Sequence, residues 1–220
     1  MEEWKKQPFS LEKTEKSCKF LLDMNQIKKQ KGTAMQKTAV IVLADGFEEI
    51  EALTPADVLK RLGCRVILAG LDQQEVTGAH GFRIVCDALM KDTDLSGADA
   101  VILPGGLPGA TNLRDNGALA EILRQRNAAG KLCCAICAAP IVLECAGIIN
   151  GRAVTGYPGC ESLSGSETLK FTGAPALRTE NLVTGKGPGA SFDFAKEIAL
   201  ALNFPAEQVA QLYAGMMVNA

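Results

Sequence analysis

The sequence predicts an α/β fold in which a parallel sheet is covered by helices on both faces. Three observations carry this. From Thr38 onward, short apolar runs rich in β-branched residues alternate with helix-length segments of helical periodicity. The apolar runs are nearly continuous, as strands buried on both faces are. One of them, residues 131–136, runs into a small-residue turn and then a helix, which is a strand–nucleophile–helix elbow.

Taken in order, residues 38–43 (TAVIVL) form the first buried strand. Residues 48–62 set Ile50, Leu53, Val58, Leu59 and Leu62 at spacings that suit a helix. Glu48 and Glu49 fall in its first turn, where the dipole favours acids, and Gly63 stops it. Residues 65–69 are the second strand and 81–86 one arm of a hairpin. Strand 100–103, helix 117–129, strand 131–136 and helix 138–146 follow. Strand 182–184 and helix 191–202 repeat the pattern, and 206–217 forms a last helix. Crossovers in such a sheet are right-handed. Sites lie at the carboxyl ends of the strands, near a topological switch point.

Composition bounds the function. A chain of 220 residues buries roughly 70% of its unfolded surface, so it needs no disulfide staple. No apolar run reaches about 18 residues, so no membrane-spanning helix is expected. The single His leaves no His-rich metal site, and no Cys/His group has zinc spacing, so no metal and no cofactor is expected. Residues 1–37 carry nine lysines against five acids, and the remainder fourteen basic residues against twenty acids. The acidic body argues against a phosphate-binding face, so neither specific nucleic acid nor membrane is an expected partner. The basic segment reads as a solvated tail rather than a nucleic-acid or membrane arm. Met35 looks like a natural start. Residues 1–34 are therefore expected to be an extension, disordered or helical around residues 10–27, ahead of a single domain over 35–220. Eight cysteines without a secretion signal suit a reducing cytoplasm.

The chemistry centres on Lys131-Leu-Cys-Cys-Ala-Ile-Cys137-Ala-Ala-Pro140. Cys137 stands where a hydrolase elbow places its nucleophile, with Ala135 and Ala139 as the small neighbours that a strained backbone needs. A helix starting behind it would favour thiolate, the reactive form. Leu103-Pro104-Gly105-Gly106 follows another strand and reaches the same sheet edge, so Gly106 and Ala138 are candidate oxyanion donors. Gly-Gly also occurs in ordinary turns. Asp45-Gly46-Phe47-Glu48-Glu49-Ile50-Glu51 follows the first strand. If Glu51 is buried among Ile50, Ala52 and Leu53, its pKa rises, and the neutral acid donates to the thiolate. The alternative is three solvated helix acids.

These fragments, together with Gly187-Pro188-Gly189-Ala190-Ser191-Phe192, resemble the ThiJ/PfpI superfamily in its DJ-one-like branch, in order and spacing over residues 38–218. The resemblance implies a flavodoxin-like sandwich and a homodimer. It implies Cys137 as nucleophile and oxidation-sensitive thiol, and Glu51 as the protonated partner and general acid/base. Gly106 and Ala138 would supply backbone N–H groups, with Gly105, Tyr157 and Pro158 lining the pocket. Many members carry His next to a Pro where this chain has Tyr157. Tyr, with an unperturbed pKa of about 10, is a poor base. That weakens a peptidase reading, and His80 sits at no matching position.

Cys134-Ala-Ile-Cys137 has thioredoxin-like spacing. Three extended residues span roughly 10 Å, however, and a disulfide needs Cα atoms within about 7 Å. Cys160, just past Tyr157-Pro158-Gly159, is either a loop residue or a second, resolving thiol. The resemblance points to a cofactor-free enzyme acting on small reactive aldehydes (methylglyoxal to lactate) or removing their adducts from thiols and amines. The alternative is an oxidative-stress sensor or chaperone using the same cysteine. A thiazole monophosphate biosynthesis role lacks a phosphate site.

Overall fold

In the computed structural model, residues 36–218 are described. The predicted helix around residues 10–27, and Cys18 within it, lie outside them. Gln36–Val209 is one compact unit, and the chain from Ala210 belongs to a second, smaller one.

β1 (Thr38–Leu43) leads into α1 (Glu49–Arg61) and β2 (Arg65–Gly70). β3 (Glu75–Thr77) and β4 (Arg83–Val85) form an antiparallel hairpin, followed by the short β5 (Ala88–Leu89). β6 (Ala100–Leu103), α2 (Gly109–Arg114), α3 (Gly117–Ala128), β7 (Leu132–Ile136) and α4 (Pro140–Cys145) come next. β8 (Ala176–Thr179), β9 (Leu182–Gly185), α5 (Ser191–Ala201) and α6 (Ala206–Gly215) complete the order.

Seven strands form the main sheet in the order β5-β2-β1-β6-β7-β9-β8. All pairs are parallel except β8 with β9. The antiparallel edge departs from the fully parallel expectation. β8 and β9 are joined by a tight turn at Glu180, whose φ is +53°, and a short turn can only reverse the chain. The order β2-β1-β6-β7-β9 is that of a flavodoxin-like sheet, with its switch point between β1 and β6.

The central strands are apolar on both faces because both faces are covered. Val40, Val42, Val101, Leu103, Cys133 and Ala135 share a core with Leu119 and Leu123 of α3 and Ile141–Leu143 of α4. On the other face α1 and α5 pack together, and a Cβ on Gly185 would meet Ile136 and the Phe194 Cβ. No helix of the described residues is long and apolar enough to cross a membrane.

One core residue is charged. Arg126 of α3 is 1% exposed and reaches under the sheet. It donates to the carbonyls of Leu95, Ala98 (2.9 Å), Asp99 (3.4 Å) and Leu132 (2.7 Å). Those carbonyls lie just before β6 and at the start of β7, so the guanidinium holds the amino ends of two neighbouring strands together. Arg126→Ala should cost about 3 kcal/mol or more, read as a lower urea midpoint, because it leaves buried acceptors unpaired. Arg126→Lys should recover only part of it, since an ammonium has three donors and no fork.

Candidate active site

Three adjacent strands deliver the candidate residues to one sheet edge. β1 ends before the loop that enters α1, and Glu51 is the third residue of that helix. β6 ends at Pro104-Gly105-Gly106, and β7 ends at Cys137. β6 lies between the other two, so Glu51 and Cys137 approach each other over the end of β6.

The elbow is formed by backbone. Cys137 has φ +64°, a left-handed conformation that costs a non-glycine residue roughly 1–2 kcal/mol. It is held there by three bonds. Cys137 N–H donates to Gly185 O at 2.9 Å, Tyr157 N–H donates to Cys137 O at 2.8 Å, and Ala139 N–H donates to Ile136 O at 3.0 Å. The room comes from small residues: Ala138 and Ala139 are buried, and a Cβ on Gly156 would lie 2.9 Å from Cys137 O. Cys137 itself is 9% exposed, a narrow opening to solvent.

Glu51 is fully buried. Its Oε2 accepts from Gly105 N–H at 2.8 Å, while Oε1 has no hydrogen-bond partner of ordinary geometry. Pro55, four residues on in α1, has no N–H to return to the Glu51 carbonyl. Gly105 separates the two reactive side chains. A Cβ there would stand 2.6 Å from Cys137 Cβ, 2.8 Å from Glu51 Oε2 and 2.9 Å from Ala138 N.

Burial pushes the Glu51 carboxyl up from 4.5 to about 7. The Cys137 thiol and the Gly105 amide pull it back, and Glu48 adds to the rise. Burial also raises the Cys137 thiol, followed by the Glu51 charge, while the amides of Gly106 and Ala138 lower it. The charged carboxylate therefore disfavours ionisation of the thiol, and near neutrality the pocket favours one negative charge over two. Two amides serve the sulfur and one serves the carboxyl. The sequence expectation that a helix terminus holds the thiolate needs correction. α4 starts only at Pro140 and is six residues long, because Pro is suited to the first helical position and keeps the residues before it out of the helix. Stabilisation of the thiolate falls to the two amides.

Tyr157 is 51% exposed, and its ring lies over Gly187, where a Cβ would come within 3.2 Å. Pro158 beside it is exposed. The loop is tied to the sheet by Thr155, whose N–H donates to Thr184 Oγ1 at 2.9 Å. Sequence reasoning missed Gly156, Thr155 and Thr184, because nothing local marks a residue that supports a distant loop. Cys160 is half-buried beyond Tyr157. Cys133 and Cys134 are buried strand residues, and Cys134 and Cys137 are unbonded. His80 is exposed, as expected for the hairpin. It also meets two acids, with Nδ1 at 2.9 Å from Glu49 Oε2 and 3.7 Å from Glu48 Oε2. A cavity of about 380 Å³, lined by Lys37, Asp99, Lys131 and Arg178 among others, lies at the amino edge of the sheet, away from the thiol.

Comparison with known proteins agrees with this fold. The model of the DJ-1/PfpI family matches residues 37–201. The Parkinson disease protein 7 homolog of Danio rerio is 37% identical over 83% of this chain and 98% of its own. A glutathione-independent glyoxalase of Caenorhabditis elegans is 36% identical over 78% of this chain and 92% of its own. A deglycase of Pyrococcus abyssi is 29% identical over 74% of this chain and 98% of its own. The solved structure of Toxoplasma gondii DJ-1 in oxidized form superposes with a TM-score of 0.77 at 29% identity, covering 84% of this chain and all of that one.

The raised Glu51 carboxyl fixes a pH dependence. Its folded pKa, about 7, lies above the ordinary 4.5, so its contribution to stability is complete below that ordinary value and is lost as pH rises through about 7. The window is worth roughly 3 kcal/mol at most. Thermal melts of wild type should fall across this range, and Glu51→Gln should remove that slope. Gly105→Ala should cost about 2 kcal/mol by overpacking, read in the same melts at a single pH.

Proposed function

The chain belongs to the DJ-1/PfpI family, and from that premise we propose that it is a cysteine-dependent enzyme of reactive carbonyls. It would convert methylglyoxal to lactate, or remove the early adducts of such aldehydes from thiols and amines. The observation that carries the reading is a buried acid with a pKa of about 7 facing a slightly open thiol that two backbone amides serve.

The chemistry follows from those groups. Cys137 thiolate adds to the aldehyde carbon, and the amides of Gly106 and Ala138 hold the oxygen as it gains charge. Glu51 gives its proton to that oxygen, completing the hemithioacetal. Glu51, now a carboxylate, takes the proton from the same carbon and returns it to the neighbouring carbon, while the hydroxyl proton of the first carbon passes to the oxygen of the second, which turns the enediol into a thioester. Water then cleaves the thioester, releasing lactate and restoring the thiol. A group with pKa near neutrality serves both directions of transfer. In deglycation Cys137 sulfur takes the former aldehyde carbon of the adduct: the new C–S bond forms, the bond from that carbon to the carrier nitrogen or sulfur breaks, and the amine or thiol leaves with the Glu51 proton. The names of the nematode glyoxalase and the archaeal deglycase support both reactions.

A second reading uses the same thiol as an oxidative-stress sensor, and the oxidized state of the Toxoplasma relative favours it. Here neutral Glu51 and the two amides would stabilise the oxidised sulfur. A reducing cytoplasm suits either reading. A homodimer is also proposed. Ile50 and Leu53 of α1 and Phe82 and Val85 of the hairpin are exposed apolar residues, and α1 and the hairpin are joined by the His80–Glu49 contact.

Lactate formation from methylglyoxal tests the enzyme. Cys137→Ser and Glu51→Gln should each lower the rate by about a hundred-fold or more while the fold persists. No turnover by wild type, beside selective peroxide modification of Cys137, would favour the sensor. Ile50→Glu combined with Phe82→Glu should shift elution in size-exclusion chromatography from dimer to monomer.

A further inference from the structure

Cys160 closes a tight turn that begins beside the nucleophile. Its N–H donates to Tyr157 O at 3.1 Å, and Gly159 has φ 93° and ψ −16°. With Pro158 ahead of it, that is a type II turn, whose first and last Cα atoms lie within about 7 Å. The first residue of the turn is bonded to the nucleophile, through Tyr157 N–H to Cys137 O at 2.8 Å. Cys160 packs against the same core as Ala138 and Ala139. Burial raises its thiol, followed by the charges of Glu161 and then Glu51. Glu51 thus acts on both thiols, and the two cysteines share one electrostatic environment.

The segment that carries Cys160 is bounded by glycines. Cys160–Ser164 is a single 3-10 turn flanked by Gly159 and Gly165, both left-handed. At neither glycine would a Cβ meet a neighbour; Arg114 holds Leu163 O at 2.7 Å and Cys145 Sγ donates to Ser164 O at 3.4 Å, so the far end of the turn is anchored and Gly159 is the adjustable link next to Cys160. A disulfide needs Cα atoms about 4.4–6.8 Å apart, a separation that backbone rotation at Gly159 would adjust.

We infer that Cys160 is the resolving thiol of Cys137, and that a hydroperoxide is the oxidant the pair accepts. Cys137 thiolate attacks one peroxide oxygen; the S–O bond forms, the O–O bond breaks, and the alcohol (water, for hydrogen peroxide) leaves with a proton. The sulfur is oxidised by two electrons and the peroxide reduced by two. Cys160 sulfur then attacks Cys137 sulfur; the S–S bond forms, the S–O bond breaks, and hydroxide leaves with the Cys160 proton as water. An external dithiol reverses the disulfide. The inference rests on Cys137 being the reactive thiol of the proposed function. It adds that overoxidation is intercepted and that turnover is switched off reversibly.

The test is stoichiometric hydrogen peroxide on the full chain, then alkylation and non-reducing peptide mass spectrometry. Wild type should give a Cys137–Cys160 cross-linked peptide pair that dithiothreitol dissolves. Cys160→Ser, a near-isosteric change, should instead accumulate sulfinic acid at Cys137, roughly ten-fold more than wild type. Cys137→Ser should give no cross-link. Where methylglyoxal turnover is measurable, dithiothreitol should restore it in oxidised wild type and not in oxidised Cys160→Ser. Equal sulfinic acid in wild type and Cys160→Ser with Cys160 still alkylatable, or a cross-link from Cys137 to the exposed Cys145, would overturn the inference. The mass readout is independent of turnover, so absence of carbonyl chemistry would overturn that reading alone.

Discussion

The site depends on a position where no side chain can stand. Neighbouring strands are about 4.8 Å apart, so groups carried by β1 and β7 meet only across the end of β6. Gly105 occupies that end. Its N–H holds Glu51 Oε2, its carbonyl accepts from Glu48 N–H at 2.9 Å, and its bare Cα lets Cys137 Cβ approach. Gly106 has a different task. Its own N–H serves the sulfur, its φ is +83°, and a Cβ there would stand 2.4 Å from Gly46 O. The first glycine makes room and the second aims a donor.

Closeness in a dry pocket has an electrostatic consequence. Two negative charges there would repel each other with little solvent screening: the neutral thiol of Cys137 eases ionisation of Glu51, and the Glu51 charge then raises the thiol. The pocket is therefore built for one negative charge that can move between carboxyl and sulfur. The two amides on the sulfur offset part of the burial that raises the thiol; thiolate with a neutral acid beside it is the state that the proposed chemistry uses to attack a carbonyl and then protonate its oxygen. The same donors suit an oxidised sulfur, so one constellation supports both functional readings.

Legibility in the sequence followed locality. β1, β6 and β7 were readable because burial on both faces leaves uninterrupted apolar runs, and the elbow was readable because strain selects small residues around Cys137. β5 and β8, two and four residues long with half-buried positions, leave no such pattern. α2 is a six-residue helix rich in small and polar residues and reads as loop. The start of α4 was misplaced by two residues although Pro140 marked it. Arg126 was invisible for another reason. A basic residue in an amphipathic helix reads as surface, and only the topology brings four carbonyls around it. The acid's burial was conditional in sequence, since the neighbours of Glu51 in the chain do not reveal that Gly105 closes over it.

The use of the one histidine completes the argument. His80 is bound to Glu49 and faces Glu48, which raises its pKa and favours the imidazolium over the free base that a triad requires. Tyr157 stands in the loop beyond the elbow, half-exposed over Gly187 rather than sealed in the pocket. With His80 held by two acids, the proposed chemistry assigns proton transfer in both directions to Glu51. A carboxylate at its ordinary 4.5 would accept a proton poorly from carbon and rarely have one to give; raised to about 7, it can do both. The burial that makes Glu51 costly to the fold is thus what allows a thiol and one acid to do the work of a triad.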